Sequence, residues 1–282
     1  MSQEISFDAL TPVEMAKKAE TIGVRKVAFS FWQVFVLAVL AGAFIALGSM
    51  FATTVAAGSS ALPYGVARLL IGLAFCIGLI LVVVGGAELF TGNSLIVMAW
   101  FSRRVSTGAL LRNWAIVYLG NFVGSLGTAA LVFFSKQYTF GGGSLGETAM
   151  KIAASKMHYG FIQALALGIL CNGLVCLAVW LTYSARSTAD KILAIIFPVT
   201  AFVAASFEHS VANMYFIPYA LFIKTFDPTF VTGLADKAPD LSSLGWGSFF
   251  LNNLLPVTIG NIIGGAGLVA LIYGFVYLSD KK

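Results

Sequence analysis

The sequence predicts an all-α integral membrane protein: six transmembrane helices in a 3+3 inverted repeat, with one broken helix in each half. Three observations carry that prediction. Only 10% of the 282 residues are charged while 59% are hydrophobic. A soluble domain carries about 25% charged residues, so this chain lacks the polar surface to cover itself. Its uncharged runs are long enough to cross the ~30 Å hydrocarbon core as helices. Two further apolar runs are too long for one crossing and too short for two, and each is interrupted by ionisable residues: Glu88 in one, Glu208 and His209 in the other.

Residues 1–28 are polar and partly amphipathic. Thr11 and Glu14 have capping-box spacing, with Pro12 at the first helical position. Val13, Ala16, Ala19 and Ile22 share one face, and Gly23 is a plausible C-terminal cap. The expectation is a short helix at 12–22 on the cytoplasmic membrane surface, placed to plug or gate what lies behind it.

No charge occurs from Val27 to Ala67, which places the first crossing within 29–57. Ser59, Ser60 and Pro63 mark the next loop. In the block Leu69–Ser102 only Glu88 is charged; as one helix this block would span roughly 51 Å. A single element broken near Glu88–Asn93 fits, and irregular backbone at that depth must be buried in protein or line a cavity. Arg103, Arg104 and Arg112 flank a turn before a third crossing at 113–135. Residues 141–156, with Gly141–Gly143, Glu147, Lys151 and Lys156, read as a polar glycine-rich loop. A fourth crossing spans 159–184, closed by Arg186, Asp190 and Lys191. The block 192–223 repeats the earlier oddity and is titratable only at Glu208-His209. A loop at 225–247 precedes the last crossing, within the uncharged run 241–279. The organisation expected is an N-terminal helix in 1–28, a membrane domain at 29–278 with repeats at about 29–135 and 159–278, and a tail at 279–282.

With the N-terminus inside, inner segments collect 11 of the 17 Lys and Arg and outer segments 6, which makes both termini cytoplasmic. The net charge of +5 lies between apolar runs rather than in one basic patch, so no nucleic-acid partner is expected; membrane lipid is. Cys76, Cys171 and Cys176 sit in apolar segments with no CxxC pair. Neither a disulfide frame nor a zinc site is expected, and no cofactor. No short cleavable apolar leader is visible.

The halves carry weak internal matches in a common order. Phe31-Trp32-Gln33 with Leu40 matches Phe161-Ile162-Gln163 with Leu170. The broken segment at Glu88 corresponds to the one at Glu208. Gly120-Asn121-Phe122-Val123-Gly124 then matches Gly260-Asn261-Ile262-Ile263-Gly264. Three crossings per half invert the second half, the plan in which broken helices meet near the midplane.

Broken helices free backbone N–H groups, and half-helix N-termini favour a small anion. Thr91 adds a hydroxyl at the first break. His209 adds a group able to accept or lend a proton as an anion passes; its alternative role is to cap a half-helix. Glu208 reads as a half-helix cap or a partner for a cation such as Lys156, and Glu88 as a cap. A bare anion entering an apolar constriction loses its hydration at large cost. A protonated weak acid avoids most of that cost, and chloride cannot.

The stretches GGAELFTGN (85–93), FEHSVANMY (207–215), PVTIGNIIGG (256–265), Pro198 and 170–180 resemble the formate/nitrite transporter family over essentially the whole chain. The resemblance implies an aquaporin-like fold assembled as a homopentamer with one pore per protomer. It implies passive, pH-dependent passage of formate and similar small monovalent anions across a bacterial inner membrane, with nitrite or hydrosulfide as alternative substrates. Residue by residue, it implies that His209 is the central histidine, with Asn172 and Lys156 beside it and Thr91 in the first break. It assigns Phe75 and Phe202 to one apolar constriction, and Leu79, Phe90 and Val175 to the other. Gly92 and Asn93 depart from the small hydroxyl residues expected there.

Two other classes fit less well. A neutral-solute channel would carry Asn-Pro-Ala at both breaks, yet Met214 follows Asn213 and Ser94 follows Asn93. A hydrolase could use Gly142-Gly143-Ser144-Leu145-Gly146, but no strand is expected before it. A proton-coupled symporter would share the same site.

Overall fold

A computed structural model describes residues 9–279. The first eight residues of the polar leader and residues 280–282 of the expected tail lie outside the described residues.

Most helices start where a side chain satisfies the exposed N–H groups. Helix α1 (Pro12–Ala28) opens on the Thr11–Glu14 capping box, in which Glu14 Oε2 accepts from the Thr11 N–H at 2.7 Å. The helix runs past Gly23 to a cap at Phe29. Gly23 is therefore not its stop; a Cβ there would stand 2.9 Å from Ala99 Cβ, so the glycine lets α1 press against the first break. Helix α2 (Phe31–Ala56) opens on a Ser30–Gln33 box. Helix α3 (Tyr64–Gly85) ends at Gly86, whose φ of +79° is left-handed. Irregular backbone follows, then a tight turn at Gly92–Ile96 and the short α4 (Val97–Phe101).

Helix α5 (Thr107–Phe134) is capped by Ser106. It starts at 107 rather than 113, and Arg112 lies inside it. The expected glycine-rich loop is largely a helix, α6 (Ser144–Met157). Three left-handed glycines, 141–143, make only its entry turn. Ala149, Met150, Ala153, Ala154 and Met157 then form a buried stripe at helical spacing, which the charges Glu147, Lys151 and Lys156 obscure in the sequence. No strand precedes Ser144 among the described residues, so the hydrolase-like motif has no strand-to-helix elbow.

Helix α7 (Phe161–Ser184) is followed by α8 (Thr188–Ala204), which opens on a Ser187–Asp190 box. A break at 205–209 separates α8 from α9 (Ser210–Phe226). A short α10 (Pro228–Gly233) occupies part of the 225–247 loop, and α11 (Trp246–Leu278) closes the chain. Helix α11 carries π-helical stretches at Phe249–Leu254 and Ile263–Leu271. Five helices (α2, α3, α5, α7 and α11) are long and apolar enough to cross a membrane. Helices α8 and α9 have 17 residues each, about 26 Å, and flank the second break.

Glycine sets the tightest packing. A Cβ on Gly124 would lie 1.9 Å from Val39 O, between α5 and α2, and one on Gly264 would lie 2.1 Å from Ile169 O, between α11 and α7. Away from the breaks, Tyr138 and Lys136 both bond the Asp227 carboxylate, at 2.5 and 3.4 Å. These bonds, Tyr138 first, hold that carboxyl well below the usual range and tie the loop after α5 to the end of α9.

Candidate functional site

Both breaks are held by an asparagine from the helix that follows in its half. Asn121 Nδ2 donates to Ala38 O and Glu88 O at 2.8 and 2.9 Å, and its Oδ1 accepts from the Phe90 N–H at 2.9 Å. Asn261 does the same for Gly168 O, Glu208 O and the Ser210 N–H, at 2.8, 2.9 and 2.9 Å. Each amide thus satisfies one C=O and one N–H of its break and ties them to a carbonyl inside α2 or α7.

Each break also carries a buried Lys–Glu–Asn–Asn cluster. Lys156 Nζ meets Glu208 Oε1 at 2.6 Å. Glu208 Oε2 accepts from Asn213 and Asn253 at 2.7 and 3.3 Å. Lys26 Nζ meets Glu88 Oε1 at 2.6 Å, and Glu88 Oε2 accepts from Asn93 at 2.7 Å. Asn93 in turn donates to Asn113 at 2.9 Å. The partners of both carboxylates among the described residues are side chains, so Glu208 takes the cation-pairing alternative with Lys156, and the capping role expected for Glu88 is replaced by pairing with Lys26. The pairs differ in access: the Lys26 side chain is 23% exposed and the Lys156 side chain 13%.

Between the two clusters, Thr91 Oγ1 and His209 Nε2 are 2.9 Å apart, and both residues are buried. His209 Nδ1 accepts from the Ala212 N–H at 3.1 Å, capping α9. A backbone N–H can only donate, so Nδ1 carries the lone pair and neutral imidazole has its hydrogen on Nε2. His209 therefore caps its half-helix with one nitrogen and donates to Thr91 with the other. The two roles that compete in the sequence coexist. A second proton could enter only at Nδ1, by breaking the α9 cap.

A cavity lies at each break, the first bordered by Gly92 and Asn93 next to Thr91, the second by His209 itself. The first, about 250 Å³, is lined by Arg25, Lys26, Leu79, Glu88 and Asn93 among others, and α1 supplies one wall. The second, about 150 Å³, is lined by Arg68, Phe75, Lys156, Phe202, Glu208 and His209. The rings of Phe75 and Phe202 meet edge-on at 5.6 Å, and Phe202 stacks on His209 at 6.1 Å.

The remaining expected residues are placed as follows. Asn172 is buried and lines neither cavity; it donates to Ser94 Oγ and Asn261 O at 3.2 and 2.7 Å, bracing the Thr91 turn from behind. Leu79 borders the first cavity, whereas Val175 is buried and borders neither. Phe90 turns edge-on to Trp114 and Tyr118 and borders a third, lateral cavity between α5 and α11. The structure therefore does not gather Leu79, Phe90 and Val175 around one cavity. Lys26, Asn93, Asn113, Asn121, Asn213, Asn253 and Asn261 are site-forming residues to which sequence reasoning assigned no role. A signal for Lys26 exists, since it precedes Phe31 by the interval that separates Lys156 from Phe161 in the matching half.

Apolar helices of membrane-crossing length, two interrupted elements and a buried polar pair between two cavities define a membrane transport protein. A family profile described as formate/nitrite transporter matches residues 13–275. The chain is 44% identical over 282 residues to the formate channel FocA of Escherichia coli (strain K12), covering 100% of this chain and 99% of that one. It is 37% identical over 286 aligned positions to a probable formate transporter of Methanothermobacter thermautotrophicus, covering 96% and 98%. Among solved structures, a pentameric formate channel with formate bound matches with a TM-score of 0.83 and 45% identity, covering 88% of this chain and 98% of that one. An FNT family ion channel matches with a TM-score of 0.79 and 27% identity, covering 93% and 98%. The chain belongs to the formate/nitrite transporter family.

Proposed function

We propose that this protein carries formate and similar small monovalent weak-acid anions passively across a bacterial inner membrane, as a homopentamer with one pore per protomer. The pore runs from the first cavity, past Thr91 and His209, to the second. The observation that carries this reading is the Thr91–His209 bond, which joins the two breaks between a cavity bordered by Gly92 and Asn93 and one bordered by His209. Both termini are cytoplasmic in this reading, so the first cavity is the inner vestibule and α1 forms part of its wall.

An anion enters a vestibule toward its lysine, whose charge the adjacent glutamate holds in place. Leu79 on one side and the Phe75–Phe202 rings on the other then exclude water. A bare anion pays its full dehydration there, so a weak acid that picks up a proton in the vestibule passes far more easily. At the centre, the His209 Nε2–H is a donor that the carbonyl oxygen of the passing acid takes over from Thr91. The sequence relatives and the formate-bound neighbour support formate as the substrate.

Flux into proteoliposomes tests this. Formate is expected to pass at least tenfold faster than chloride or glycerol, and faster again on acidification. Equal passage of formate and chloride would leave a generic anion pore and refute the weak-acid reading.

A further inference from the structure

The second cavity holds a cation that its Lys–Glu pair does not account for. Arg68, in the first turns of α3, lines it together with Lys156, Tyr159, Ser206 and His209. Lys156 is matched by Glu208. Arg68 has no carboxylate partner among the described residues. Two cations against one carboxylate leave one formal positive charge in excess in this wall.

The guanidinium is fixed in place. Its Nε donates to Ala204 O at 3.0 Å, and Nη2 donates to Val203 O and, at 2.8 Å, to Ser206 Oγ. Val203 and Ala204 end α8, where a cation meets the negative pole of the helix. Ser206 has a φ of +59°, a conformation that side chains disfavour, and it stands where the first break has Gly86. These three bonds pin the charge at the cavity. Three of the five guanidinium N–H donors are used, which leaves the Nη1 pair without a partner among the described residues.

We propose that Arg68 is the anion-capturing group of the second cavity: its uncompensated guanidinium, pinned on the end of α8, draws a small monovalent anion from solution toward Lys156 and His209. This rests on the transport reading above. Arg68 raises the local anion concentration and does not touch the central pair, so it acts on capture rather than on passage.

The test is initial formate uptake against formate concentration, at low salt and at about 0.5 M of a non-permeant salt, for wild type, Arg68→Lys and Arg68→Gln. Wild type should need more formate for half-saturation at high salt, because screening shortens the reach of the charge. Arg68→Gln should raise the half-saturating concentration about fivefold at low salt, leave the maximal flux unchanged, and differ little from wild type at high salt. Arg68→Lys should behave as wild type. A loss of maximal flux in Arg68→Gln, equal at both salts with half-saturation unchanged, would make Arg68 a clamp only and overturn the proposal. So would a wild-type half-saturation insensitive to salt, which needs no variant to fold. A wild type that carries no formate at all would instead refute the transport reading, and with it this proposal.

Discussion

Glu208→Leu is expected to remove formate flux and most of the stability of the second break. Glu208 is 1% exposed and serves Lys156, Asn213 and Asn253 at once. Without it the largely buried Lys156 ammonium is unmatched, and the Asn213 and Asn253 amides each lose one of their two acceptors. Breaking a buried pair by removing one partner costs about 3–5 kcal/mol. Replacing both partners with apolar groups is far milder, so Lys156→Met with Glu208→Leu should regain much of the thermal stability while flux stays below a tenth of wild type. Glu88→Leu should cost less, because Lys26 is more exposed and can turn into the first cavity. Thermal unfolding of the purified protein, paired with liposome flux, checks all three. Equal losses at Glu88 and Glu208 would contradict the difference in burial.

Gly264→Val carries the second large effect. Its Cβ would fall 2.1 Å from the Ile169 carbonyl oxygen, a main-chain atom that cannot step aside without moving α7. Overpacking a dense core typically costs about 1–3 kcal/mol, and here the obstacle is backbone on both sides, so a loss of about 3 kcal/mol is expected. The same helix carries Asn261, and displacing it would pull that amide from Gly168 and Glu208. Gly124→Val should behave alike against Val39. Gly127→Ala, with nothing within 4 Å, is the control and should be neutral or slightly stabilising. Recovery of folded protein after mild heating reports the difference.

What the sequence revealed and what it hid have the same physical origin. A carboxylate inside an apolar run is costly unless matched, so Glu88, Glu208 and His209 mark both breaks in the sequence itself. The partners were harder to see. Lys26 lies in a polar leader where a lysine is unremarkable, and beyond its spacing to Phe31 only its contacts with Glu88 and Asn93 distinguish it from Lys17 or Lys18. Helix α6 was hidden because three glycines and three charges dominate a segment whose buried face is mostly alanine and methionine. The surroundings of Phe90 were equally invisible: its backbone N–H is fixed by Asn121 and its ring meets Trp114 and Tyr118 edge-on. The tautomer of His209 could not be read from sequence, since it follows from the Ala212 N–H alone.

The most direct test of the account is the pH profile of formate flux in His209→Asn. Asparagine is a good N-cap, so the variant keeps an acceptor for the start of α9 while losing the nitrogen that faces Thr91 and the ring site, Nδ1, at which a second proton could enter. The account predicts folded protein in which the acid-to-neutral flux ratio collapses toward one and the preference for formate over chloride falls at least tenfold. A pH profile and a formate preference unchanged from wild type would contradict it, and would leave His209 as a helix cap alone.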